Sequence, residues 1–384
     1  MERVLTAIYA LSCLASGTVN APEAIVFPAT RYHWRGRHVY PSGSSHLYSV
    51  RLDGSDLHQL TFGSSDDNKP LPTPDGRHIV FLRSRQNSDQ VAICSTDLDG
   101  RVIQKLAVLS RDEPAILSEA RILAGRPLPY KLKAYGPDNY ALLNGSGQVM
   151  TRLQGGFEIQ FSPDWTCALL YQNRLVDLQT GSQIELSSRG SSIEPGSIVS
   201  WAWLDGSTLI GEDLGRDEAL LVNRSGKILR DLKTESAVGP KHREHGNDFE
   251  DQEGLPEGLD RAMNWPNHPG SAITWNVYGY SSGSAGKTSI LNLSTGALFE
   301  VDDQRFYGVT QDGRHLVTGT WEWQGGYHEP GSAGLDRLYV WDTRTWESKQ
   351  IGFKWMKIRS DACIVGGNRS SQLQGTTSKI SGRP

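Results

Sequence analysis

The chain is short of cysteine, of net charge and of long apolar runs, and each shortage excludes a class of protein. There are 4 cysteines in 384 residues. Cys13 lies in an apolar N-terminal stretch, and Cys94, Cys167 and Cys363 form an odd set without close spacing, which argues against a disulfide framework and a Cys-x-x-Cys zinc site. Each of the three sits in a strand-like run (VAIC, TCALLY, ACIVG) and reads as a small buried residue. The net charge is −4 with acids and bases interspersed, so no basic stripe exists to neutralise phosphates, and nucleic acid is not an expected partner. Past the N-terminal segment, no apolar run approaches the length of a membrane-spanning helix.

What is abundant is glycine, 41 residues of it, in clusters with Asp, Asn and Ser that separate short strand-like runs. That composition belongs to an all-β chain. The beginning and end differ from the rest. Met1-Glu2-Arg3, the apolar run Val4 to Ala15 and the small or polar residues Ser16 to Ala21 have the layout of a secretory signal peptide, taken as approximately residues 1–21. Cys13 is not preceded by a good lipoprotein motif. The expectation is an exported chain, periplasmic or secreted, with no transmembrane segment once the signal is removed. From residue 368 onward the tail lacks apolar periodicity and is expected to be disordered.

Two interleaved ladders of turn signals run through residues 22–367. The first is Pro74-Asp75-Gly76, Pro163-Asp164-Trp165, Leu204-Asp205-Gly206, His268-Pro269-Gly270, Gln311-Asp312-Gly313 and Ser360-Asp361-Ala362, with a degenerate member inferred near Glu119. The second is Asp53-Gly54, Asp99-Gly100, Gly145-Ser146-Gly147, Thr180-Gly181, Ser225-Gly226, Thr295-Gly296 and Thr343-Arg344. Both step by about 45 residues, the length of one four-stranded propeller blade. The spacing predicts a seven-bladed β-propeller, with six blades as the alternative if Arg111 to Asn139 is an elaborated loop. One blade closes the ring with strands from both termini: Leu47–Leu52 and Leu57–Phe62 outside, and an inner hairpin from Phe353 to Gly367. The place of Ala24–Thr30 in that blade is left open.

The stretch HLYSVRLDGSDLHQLT followed by DDNKPLPTPDGRHIVFLRSR resembles the repeat of TolB-like propellers and is similar to repeats in the propeller domains of prolyl-oligopeptidase-type peptidases. The resemblance implies the fold across most of the chain and is unspecific for function. TolB carries an additional N-terminal domain and the peptidases a hydrolase domain, and neither is expected in this chain.

In an up-and-down blade the two ladders occupy one face, so the longer connections gather on the other. Candidate binding residues on that face are Asp66, Asp67 and Asn68, His242 and His245, Asp302 and Arg305, and Trp323, Tyr327 and His328 in a Gly-rich loop. The insertion KHREHGNDFEDQEGLPEGLD is the widest, and its His242, His245 and Asp248 are weak candidates for a divalent metal: two imidazoles and a carboxylate suit one, but the spacing matches no recognised site. Gly279-x-Ser281-x-Gly283 and Gly286-Lys287-Thr288 imitate a nucleophile elbow and a phosphate loop without the strand-turn-helix setting either needs. Trp201, Trp275 and Trp341 read as packing between blades. Asn144, Asn223, Asn292 and Asn368 each begin an Asn-x-Ser glycosylation pattern.

These features predict an exported, non-catalytic propeller that binds a protein or envelope partner through the long connections, with no cofactor. The alternative is a lyase or hydrolase on a saccharide or peptide, using a His-rich and metal-dependent site at the channel mouth, drawn from His242, His245, His268, Arg305, Tyr327 and His328.

Overall fold

The structure is a computed structural model that describes residues 23–35, 38–73, 76–85, 88, 90–101, 103–110, 131–136, 139–144, 146–154, 159–164, 166–170, 173–186, 199–213, 218–233, 235–237, 261–280, 283–301, 304–322, 335–353, 355–358 and 362–366. Among these residues there is no helix, and the strands assort into seven sheets, consistent with a β-propeller. Sheets 2, 4, 5 and 7 are consecutive four-strand meanders that begin at Ser65–Pro72, Ile159–Phe161, Val199–Trp203 and Arg305–Val309. Sheet 3 has three described strands, Lys131–Gly136, Asn139–Leu143 and Val149–Gln154. Sheet 6 follows Arg261–Asn264 and gains a fifth, parallel strand, Glu235–Ala237, on its outer edge.

Side chains close the turns in a repeated way. In the first ladder a hydroxyl residue ahead of the turn accepts the N–H of the residue that restarts the chain: His78 donates to Thr73 at 3.0 Å, Cys167 to Ser162 at 2.9 Å, and His315 to Thr310 at 2.9 Å. In the second ladder an Asn or Asp side chain does the equivalent work. Asn144 Oδ1 accepts from Ser146 and Gln148, Asn223 Oδ1 from Ser225 and Lys227, and Asn292 Oδ1 from Ser294 and Thr295. This local chemistry explains three of the Asn-x-Ser patterns as turn-closing sequences. The last rung lacks glycine, and Trp346 takes the left-handed conformation there at φ +58°.

Sheet 1 corrects one expectation. Ala24–Arg35 pairs along one edge with His38–Arg51, and along the other with Met356–Ile358 and Cys363–Val365 in succession. The C-terminal residues thus form one interrupted line beside Ala24–Arg35, not an inner hairpin turning at Ser360-Asp361-Ala362. The reason is that AIVFPA is apolar on both faces: Ile25, Phe27 and Ala29 pack toward sheet 7 and Val26 toward sheet 2. A segment buried on both faces belongs inside a sheet with a neighbour on each edge. Two connections are also shorter than expected, since Asp66–Asn68 already belong to the strand Ser65–Pro72, and Tyr280 pairs directly with Gly283. The latter pairing makes both imitation motifs part of a β-hairpin. The inferred turn near Glu119 lies outside the described residues, whereas Lys131–Gly136 and Asn139–Leu143 pair as a hairpin of sheet 3.

Apolar clusters join neighbouring sheets. Phe27 and Tyr48 of sheet 1 meet Val317 and Leu338 of sheet 7, and Leu47 of sheet 1 meets Ile79 and Phe81 of sheet 2. Further clusters join sheets 6 and 7 through Ile273 and Trp341, 5 and 6 through Ile210 and Leu291, 4 and 5 through Leu175 and Trp201, and 3 and 4 through Leu142 and Val176. On its face away from sheet 1, sheet 2 buries Val80, Ile93 and Leu106. Cys94, Cys167 and Cys363 are buried within these contacts, as their runs predicted, and form no disulfide with one another.

The turns also press against adjacent sheets. Gly296 has φ +78°, and a Cβ there would overlap the carbonyl oxygen of Lys233 in sheet 5. Gly43 has a similar φ, +81°, with nothing within 4 Å. Gly43→Ala therefore measures backbone strain alone, about 1 kcal/mol. Gly296→Ala is expected to cost clearly more, read as the difference between the two denaturant midpoints.

Candidate binding face

Chain direction divides the strand ends into two sets. In every antiparallel meander, alternate connections fall at opposite ends, and the two turn ladders share one of them. Hydrogen bonds tie these turn ends together between sheets: Asn267 Nδ2 donates to the carbonyl of Gln311 at 2.9 Å, and Trp265 Nε1 to that of Gly313 at 3.1 Å. Arg224 Nη2 donates to Asp164 Oδ2 at 2.5 Å, with its guanidinium 5.9 Å from the Trp203 ring centroid. The other end receives the chain between Ser110 and Lys131, Glu185 and Val199, Ala237 and Arg261, and Glu322 and Leu335. All four long connections leave from the same ends of their sheets.

Near that end, sheets 1 and 2 are joined by a buried polar cluster. Asp67 lies at the start of an innermost strand, with its side chain 0% exposed, opposite Arg83 in the pairing register. Arg83 Nε and Nη2 donate to Asp67 Oδ1 and Oδ2 at 2.7 and 2.9 Å, a two-pronged bond that a planar guanidinium makes well. Its guanidinium carbon is 5.4 Å from the Phe81 ring centroid. His46 Nδ1 is 3.7 Å from Asp67 Oδ2, and Ser45 N–H donates to Asp66 Oδ1 at 2.8 Å. Burial pushes the Asp67 carboxyl up, but the two bonds from Arg83, with nearby His46 and Thr61 and the charge of Arg83, outweigh it and hold the carboxyl below the usual range. Burial is also the main reason the neighbouring Cys94 thiol is pushed up, which keeps it protonated near neutral pH.

A depressed folded-state carboxyl stabilises the fold above the unfolded carboxyl value, and that contribution is lost as pH falls through the lower folded value. Acid unfolding below about pH 4 should therefore be steeper in the wild type than in Asp67→Asn, whose amide does not titrate. Equal acid-limb slopes would remove Asp67 from the account.

The remaining candidates are distributed as follows. Asn68 pairs with Leu82 in sheet 2, and Arg305 is the half-buried first residue of its strand, paired with Gly319. His242, His245, Asp248, Asp302, Trp323, Tyr327 and His328 lie outside the described residues. His268 sits in a turn at the opposite end from Asp67, its ring 4.1 Å from that of Trp265. It therefore does not converge with Arg305. Among the described residues no group of three His, Cys, Asp or Glu side chains is placed to hold a metal ion. Trp201 and Trp341 are buried at 1% and 2% exposure, as between-sheet packing requires; the Trp275 side chain lies outside the description.

Residues the sequence reading passed over are Arg83, His46, Arg31 and Trp355. Arg83 carried a usable signal: it follows Phe81 at strand spacing in HIVFLRSR and so shares the face of a buried aromatic. Trp355 is 44% exposed and stands in the connection between Ser348–Ile351 and Met356–Ile358, at the end with the long connections.

No protein-family model matches the chain, and no curated protein matches it by sequence. Solved structures similar in fold include TolB from Acinetobacter baumannii, at 14% identity and TM-score 0.41, covering 89% of this chain and 66% of that one. Apo AztD from Citrobacter koseri is similar at 11% identity and TM-score 0.44, over 90% of this chain and 99% of the other. A prolyl endopeptidase is similar at 10% identity and TM-score 0.45, where 93% of this chain spans 52% of that protein. The chain thus spans about two thirds of TolB and about half of the endopeptidase. Among the described residues no helix is long and apolar enough to cross a membrane.

Proposed function

We propose that the chain is an exported, non-catalytic binding disc: a seven-bladed TolB-like propeller, closed by terminal strands in one blade, that holds a protein or envelope partner on the face of the long connections. The carrying observation is the asymmetry of the two ends. One end is built of short turns capped by their own side chains and bonded sheet to sheet, which leaves it closed and uniform; the other receives all four long connections. A rigid scaffold with variable segments on one side is the usual arrangement for recognition. On this reading Asp66, Asp67, Asn68 and Arg305 border the binding face, and His242, His245, Asp302, Trp323, Tyr327 and His328 belong to connections that enter it. No cofactor is needed. The apolar segment ahead of Ala15 supports export.

The test replaces residues 241–260 or 323–334 with Gly-Ser linkers and, separately, changes a turn-end cap, Asn223→Ala. Crosslinking to an envelope fraction should capture one partner with the wild type and with Asn223→Ala but not with the linker variants, at similar melting temperatures. Equal capture by all variants overturns the face assignment. Stoichiometric metal together with turnover of a polysaccharide or peptide, lost in the 241–260 variant, replaces it with the enzyme reading.

A further inference from the structure

We propose that the outer edge of sheet 2, the strand Ile103–Ser110, is a docking site for an extended peptide that joins the sheet as a further strand. The site is separate from the binding face and does not depend on it.

The second-ladder turn of each sheet rests on the outer strand of the sheet before it, sheet 7 standing before sheet 1. Gly54 of sheet 1 packs against Ile351 of sheet 7, Gly100 of sheet 2 against the Leu60 backbone of sheet 1, and Gly181 of sheet 4 against the Met150 carbonyl of sheet 3. Gly226 of sheet 5 meets Leu186 beside the outer strand of sheet 4, Gly296 of sheet 6 meets the Lys233 carbonyl of sheet 5, and Trp346 of sheet 7 stacks on Phe299 of sheet 6 at 3.9 Å between ring centroids. Side chains reinforce three of these overlaps: Lys349 Nζ donates to the Asp53 carbonyl, Gln183 Nε2 to Thr151 Oγ1 at 2.9 Å, and Arg230 Nη1 to the Leu293 carbonyl. Sheet 3 breaks the series. Its turn glycine, Gly147, would have nothing within 4 Å of a Cβ, so among the described residues no turn rests on the outer strand of sheet 2. Among those residues no apolar cluster joins sheets 2 and 3 either.

The strand left uncovered is the longest of the outer strands, eight residues against two to six in the others. It pairs with Gln90–Asp97 along one edge and with no described strand along the other. Ile103 and Val108 are 38% and 42% exposed, Lys105 is the one charged side chain, and there is no proline. Free edges are usually blunted by short length, proline, several charges or a covering neighbour; here a register shift beside Ile93 and Cys94 is the one such device.

Alternate residues of an edge strand turn N–H and C=O outward at intervals of about 7 Å. Another extended backbone matches that array, whereas a helix has already spent its own donors and acceptors. The molecule contains an example of the addition: Glu235–Ala237 pairs in parallel with Ala297–Phe299 on the outer edge of sheet 6. A three-residue segment suffices there, so a thin extended peptide is the occupant the fold exemplifies. Its β-branched residues would pack beside Ile103 and Val108, and an acidic residue would meet Lys105.

The test measures fluorescence anisotropy of a labelled eight-residue peptide of alternating Val and Thr with one central Glu, titrated with the full chain. The wild type should bind it and Val108→Lys should weaken binding about tenfold. Ile228→Lys, on the covered outer strand of sheet 5, should leave binding unchanged. Lys105→Glu should also weaken it, and replacing the peptide's Glu with Lys should restore affinity to that variant; this charge swap serves if Val108→Lys fails to fold. The same peptide N-methylated at alternate amides should not bind, and hydrogen exchange of residues 103–110 should slow only with the unmethylated one. Absence of binding, equal binding of the methylated peptide, or equal affinity in Val108→Lys overturns the proposal. A dimer in sedimentation that Val108→Lys dissolves, without peptide binding, overturns the peptide assignment in favour of a second copy of the chain.

Discussion

Arg83→Ala should lower the unfolding free energy by about 3 kcal/mol, toward the lower end of the range for breaking a buried ion pair. The Asp67 side chain is wholly buried, so without Arg83 its carboxylate would have to stay charged in a dry site or take up a proton on folding. The Arg83 side chain keeps 22% exposure, so water can reach the place it vacates, and this moderates the cost. The paired replacement Asp67→Leu with Arg83→Met should recover most of the loss, because apolar groups of similar volume avoid desolvating two charges. Denaturant midpoints of the two singles and the double form a cycle that isolates the coupling. A coupling near zero would mean that the two-pronged bond contributes nothing beyond packing.

Trp341→Ala should cost about 3–5 kcal/mol. The indole is 2% exposed within the cluster that joins sheets 6 and 7. Its Nε1 reaches Gln304 Oε1 at 3.1 Å and Thr318 Oγ1 at 2.9 Å, and Thr318 Oγ1 also donates to Gln304 Oε1. The Gln304 carbonyl accepts from Thr288 Oγ1 of sheet 6 at 2.9 Å. Trp341→Phe keeps most of the buried ring and removes only the donor, so it should lose about 1–3 kcal/mol. If phenylalanine costs as much as alanine, the polar network outweighs the ring burial; if it costs nothing, the network is idle.

Gln304 and Asp67 occupy the same repeat position, equally far ahead of Thr310 and Thr73, the hydroxyl residues of their turns. Each is a buried polar group at the start of an innermost strand, and each helps hold two sheets together. The partners differ, Trp341 and Thr318 in one case and Arg83 in the other. One backbone position can thus be satisfied either by neutral donors or by an ion pair.

The turns were legible because their chemistry is local. An Asn or Asp closes a loop onto N–H groups two to four residues away, and a hydroxyl does so five residues away, so spacing alone reveals them. The strands were legible as apolar runs, but not their partners. Ala24–Thr30 could not be placed because its neighbour, Cys363–Val365, lies at the opposite terminus, and no local pattern records such a pairing. Arg83 shares the face of Phe81 at strand spacing, but only its register opposite Asp67 makes it the partner of a buried charge. Asp66, Asp67 and Asn68 looked like a loop because acidic and amide residues usually mark one; backbone pairing with Arg83, Ser84 and Leu82 overrode that preference.

The order of short strands and capped turns follows from the sequence, since hydrogen bonds a few residues long and apolar runs determine it. The pairing of the two termini, the clasp between sheets 1 and 2, and the exposure of Trp355 beside Arg31 were decided by tertiary structure. Each requires groups far apart in the chain to share one place, and the free energy that brings them there comes from burying apolar side chains between sheets, as on both faces of Ala24–Ala29.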